Sequence, residues 1–83
     1  MPKNLITYRH RDTDICVRRY WNKTQLLFDE TVVDTWKGFI EAAYAVKGVL
    51  EEDVIVADVS PLPVGSRVRL IINGRVVSHT TKM

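Results

Sequence analysis

Eighty-three residues, 46% hydrophobic and 27% charged, suffice for one globular domain with a modest core, expected to span 1–83. No apolar run approaches the roughly 18 residues of a membrane span, and Met1-Pro2-Lys3-Asn4 lacks the apolar core of a signal peptide. The single Cys16 cannot close an internal disulfide, so a reducing, cytoplasmic setting is expected, and the net charge of +2 is lower than most nucleic-acid domains carry.

The layout of that charge is uneven. Residues 1–23 carry Lys3, Arg9, Arg11, Arg18, Arg19 and Lys23 against Asp12 and Asp14, a net of +4. Residues 24–60 carry eight acids against Lys37 and Lys47, a net of −6. Residues 61–83 carry Arg67, Arg69, Arg75 and Lys82 with no acid, a net of +4. If the flanking basic segments share a sheet, one side of the molecule becomes basic and can steer a polyanion.

In chain order, Leu5–Arg11 reads as a strand, and Asp12-Thr13-Asp14 as a polar turn. Ile15–Trp21 is rich in β-branched and aromatic residues and reads as a second strand. Asn22-Lys23 makes a tight turn into a third, Thr24–Asp29.

Thr31–Leu50 reads as a helix. Val32, Trp36, Phe39, Ala43, Val46 and Leu50 recur at steps of four and three, the spacing of one helical face. Thr31 suits an N-cap, acids cluster near that end, and Lys47-Gly48 suits a C-terminus. On the opposite side, Gly38, Ala42 and Ala45 form a strip of small residues where a partner could pack closely.

After the acidic turn Glu51-Glu52-Asp53, Val54–Val59 is apolar almost throughout and reads as a central strand. Ser60–Ser66, with two prolines, is a loop. Arg67–Ile72 and Arg75–Thr80 form a hairpin about Asn73-Gly74, the pair a type I′ turn favours, and Thr81–Met83 reads as a frayed tail. The expected fold is therefore α+β, in the order β-β-β-α-β-β-β, with one helix across a mainly antiparallel sheet of five to six strands.

Chemistry-bearing motifs are sparse. Cys16, His10 and His79 lack paired ligand spacing, so neither a metal nor a cofactor is expected. Cys16, between Ile15 and Val17, reads as a small buried hydrophobe. No motif links a nucleophile to a base, Val64-Gly65-Ser66 falls short of a phosphate loop, and no small-molecule substrate or enzymatic activity is indicated.

A basic-aromatic pattern remains. Arg9, Arg11, Arg18, Arg19, Arg67, Arg69 and Arg75 could position phosphates, with Trp21 or Tyr20 stacking on bases. A non-enzymatic module contacting nucleic acid through a basic sheet face is the first expectation; solvating arginines on an ordinary sheet face are the plain alternative. The second is a protein-interaction module, or homodimer, acting through Gly38, Ala42 and Ala45, an acidic patch or an exposed edge strand.

Overall fold

The computed structural model describes residues 2–38 and 42–82, which form eight strands and no helix. They are β1 (Lys3–His10), β2 (Thr13–Tyr20), β3 (Lys23–Phe28), β4 (Thr31–Lys37), β5 (Tyr44–Leu50), β6 (Asp53–Pro61), β7 (Ser66–Ile72) and β8 (Arg75–Lys82). Each half of the chain is an antiparallel meander, giving one sheet in the order β1-β2-β3-β4 and another in the order β5-β6-β7-β8.

The α+β expectation is therefore corrected: the segment read as a helix is β4, a connection and β5. Thr31, Val32, Val33 and Thr35 are β-branched, and their stiff side chains favour the pleated backbone over a helix. Gly38 sits at φ +137°, which no helix accommodates, and the Phe39, Ile40 and Glu41 assigned to the helix lie outside the described residues. Beyond them, Tyr44, Val46, Gly48 and Leu50 turn inward while Ala45, Lys47 and Val49 are exposed. That is a period of two, and it competes with the steps of three and four in the same residues.

The small-residue helix back therefore does not exist. Gly38 leaves β4, Ala42 lies in the connection, and Ala45 stands on the outside of β5. Thr81 and Lys82, read as tail, complete β8, while Met83 lies outside the described residues.

The two sheets close over one core, so the chain is a small single domain measuring 35 × 24 × 16 Å. Ile6, Ile15, Val17, Leu26 and Phe28 of the first sheet meet Val46, Ile55, Ala57, Val59, Val68, Leu70 and Ile72 of the second. The three register irregularities place Leu5 in β1, Val33 in β4 and Val77 in β8 as extra residues. All three lie on edge strands, where a bulge hinders pairing with another chain.

The seam between β4 and β5 is made by side chains. Asp34 Oδ2 accepts the Lys47 amide at 2.8 Å, and Oδ1 accepts the Thr35 amide at 2.9 Å. Trp36 and Tyr44 stack with ring centroids 3.8 Å apart and planes 6° from parallel. Gly48 leaves room for Val33: a Cβ at Gly48 would lie 2.9 Å from a Val33 methyl and 3.2 Å from the Phe28 ring.

Candidate functional site

In a meander, alternate turns share an end of the sheet. The turns at 11–12, 29–30, 51–52 and 73–74 form one end of the molecule; those at 21–22 and 62–65, with the end of β4 and the start of β5, form the other. Contacts between the sheets fix this correspondence. At the first end, Asp53 accepts hydrogen bonds from His10 Nε2 (2.7 Å), Arg11 Nε (2.6 Å) and Asn73 Nδ2 (2.9 Å). At the second, Arg19 donates to Thr24 Oγ1 (2.8 Å) and to the Gly38 carbonyl (3.0 Å), and Thr24 bonds the Tyr44 hydroxyl at 2.6 Å.

This arrangement sorts the charges by end. Asp12, Asp14, Asp29, Glu30, Glu51, Glu52 and Asp53 gather at the first end. Of the other described acids, Asp34 lies within β4 on the seam and Asp58 lies within β6, held by a two-pronged pair with Arg69 (2.7 and 3.0 Å). Glu41 lies outside the described residues.

The second end is basic. Lys3 faces Arg19 across β1 and β2; Tyr20 faces Lys23, which faces Lys37 across β3 and β4. Arg67 and Lys82 occupy the same end of the second sheet, opposite Thr81 and Ser66. Lys3, Lys37 and Arg67 are exposed and Lys23 and Lys82 half-buried, and among the described residues none forms a salt bridge. The Trp21-Asn22 turn lies at this same end, and Trp21 is 75% exposed. Lys23 Nζ lies 4.7 Å from the Tyr20 ring centre, and the Asn22 carbonyl accepts the Gly38 amide at 2.8 Å, tying the turn to the end of β4.

The arginines expected on one basic face are divided among several surfaces. Arg9 and Arg18 lie on the outside of the first sheet, paired with Asp14 (2.6 Å) and Glu30 (3.1 Å). Arg67 and Arg69 lie on the outside of the second. Arg11 sits in the first turn against Asp53, and Arg75 begins β8 at the acidic end. Arg19 points inward to Thr24. Only Arg19, Trp21 and Arg67 of the expected set belong to the basic end; Lys3, Lys23, Lys37 and Lys82 were missed. For Lys23 and Lys37 the signal was a position beside alternate turns, visible only once the first half is read as a four-stranded meander; Lys3 and Lys82 begin the first strand and end the last.

Two other groups have structural roles. Asp53 is 7% exposed, and its carboxyl is held well below the ordinary range, first by the His10 hydrogen bond and then by Asn73 and Arg11. With three donors satisfied it acts as a latch between the sheets. Cys16 is buried, as its neighbours suggested, and its thiol donates to Asn4 Oδ1 at 3.4 Å; burial pushes its pKa up. Among the described residues no cluster of three or more His, Cys, Asp or Glu could hold a metal ion, and no helix is long and apolar enough to cross a membrane.

No family model, curated protein or solved structure matches this chain.

Proposed function

We propose that the protein is a non-enzymatic binding module that takes single-stranded nucleic acid at its basic end. The supporting observation is Trp21, 75% exposed on a short turn at the end that also carries Lys3, Lys23, Lys37, Arg67 and Lys82, with the described acids confined to the middle and opposite end. An exposed indole offers a stacking platform worth about 1–3 kcal/mol per base, and every base has a face to stack. The lysines would track the phosphates, and the opposing charges of the two ends would orient an approaching strand. A buried, protonated Cys16 accords with action in a reducing compartment such as the cytoplasm.

The test is fluorescence anisotropy of labelled single-stranded oligonucleotides over a salt series. Affinity should fall linearly on log–log axes, with a slope of about −0.7 for each phosphate neutralised. Lys23→Glu with Lys37→Glu should weaken binding at least about tenfold and flatten the slope. Trp21→Ala should weaken binding with the slope retained, and Arg75→Glu, at the acidic end, should change little. Absence of binding at low salt, or equal losses from Arg75→Glu and the lysine pair, overturns the proposal.

A further inference from the structure

The outside of the second sheet departs from the alternation of a half-solvated antiparallel sheet, whose outer positions are polar. Val49 faces Val54, Val56 faces Ile71, and Ile71 faces Val76, so apolar side chains run across all four strands. Val49 is 65% exposed, Val54 46% and Val76 44%, with Val56 and Ile71 half-buried between them. The core does not require these residues, since Ile55, Ala57 and Val59 already supply the inner face of β6. A contiguous apolar patch marks a surface that is covered in use.

We propose that a second copy of this chain covers it, as an isologous homodimer packed sheet against sheet. The rim carries the argument. The acidic turn Glu51-Glu52 borders the patch at one end of the strands, with Glu51 also 3.6 Å from Arg11 of its own chain and Glu52 in no ion pair among the described residues, while exposed Lys47 and Arg67 lie toward the other end. A twofold axis in the interface plane, perpendicular to the strands, lays patch on patch and reverses the ends. Each copy's Glu51-Glu52 turn then approaches the other's basic rim, so one surface complements itself in charge, as an isologous interface must. Asp58 and Arg69 lie on the same face and neutralise each other within the sheet, while Lys47, directly opposite Val56, is left for the partner's acids to meet. A standard interface takes about 800 Å² from each partner; the chain exposes 5232 Å² in all.

Sedimentation equilibrium of the full chain over a micromolar concentration series tests the proposal. The expected result is a reversible shift from 9.5 kDa to twice that mass. Val54→Glu should raise the dimer dissociation constant at least about tenfold, with the far-ultraviolet spectrum unchanged. Glu51→Lys with Glu52→Lys should weaken the dimer, and adding Lys47→Glu should restore it. If Val54→Glu unfolds the chain, the charge-swap series decides alone. A monomer throughout, a dimer indifferent to the charge swaps, or open-ended growth beyond two copies overturns the proposal; the last would indicate basic-to-acidic end contacts.

Discussion

Gly48 shows how much structure one residue can carry. Its backbone is not left-handed, so what it contributes is room: the missing Cβ is the space that Val33, the extra residue of the β4 bulge, occupies above Phe28. Gly48→Ala puts a methyl 2.9 Å from Val33 and should cost about 1–3 kcal/mol, the usual range for overpacking. Val33 is 40% exposed, so Val33→Ala alone should cost less, and in the double variant most of the Gly48→Ala loss should return. Chemical denaturation of the four proteins measures the coupling; strict additivity would mean that the clash relaxes elsewhere. In the sequence, Gly48 beside Lys47 suits a helix C-terminus, because the same residue type serves left-handed caps and close approaches. Asn73-Gly74 had no such double meaning. Both residues adopt positive φ, 50° and 82°, as a type I′ turn requires. Arg11-Asp12 and Asp29-Glu30 adopt it too, without glycine; the polar Asp12-Thr13-Asp14 run marks the first of these turns one residue late, and Asp29-Glu30 reads as the end of a strand and the approach to a helix.

At the scale of elements, the outer strands were legible and the middle was not. β1, β2, β3, β6 and the β7–β8 hairpin lie within a few residues of the expected segments, because β-branched runs bounded by polar turns have one reading. Thr31–Leu50 had two readings, and local spacing could not show that Gly38 breaks the segment and Trp36 folds back onto Tyr44. What replaces a continuous helix is a seam that depends on Asp34. Its carboxylate accepts the Lys47 amide across the gap between the sheets. Asp34→Ala should cost about 1.5–2 kcal/mol, the lower part of the range for a hydrogen bond to a charged group, since water can reach this amide. Hydrogen exchange localises the effect: the Lys47 amide should lose protection more than those in β6 and β7. Uniform loss across both sheets would mean that Asp34 supports the whole fold and not the seam.

At the scale of the molecule, the +4/−6/+4 layout is real in the sequence but misleads about space. Read as blocks it implies a basic side and an acidic side; the two meanders interleave the blocks, because the turns at 11–12, 29–30 and 51–52 bring acids to one end while Lys23, Lys37 and Lys82 come to the other. The acidic end also carries the contact most sensitive to pH. Asp53 joins β6 to His10 and Arg11 of the first sheet and to Asn73 of the β7–β8 turn, with Glu51 the nearest other acid, 3.6 Å from Arg11. Its folded carboxyl titrates well below the ordinary range, so folding is favoured while the unfolded carboxyl is ionised, above about pH 4. That contribution should fade as pH falls below the unfolded value and on through the folded one. Asp53→Asn, which keeps the shape without the charge, should melt at a lower temperature than the parent near neutrality. The two melting temperatures should converge as pH drops below about 4, because the parent loses what the variant never had. Melting curves of both proteins from neutral pH down to the acid limit check this, and a gap that stays constant with pH would show that the Asp53 charge contributes nothing to holding the two sheets together.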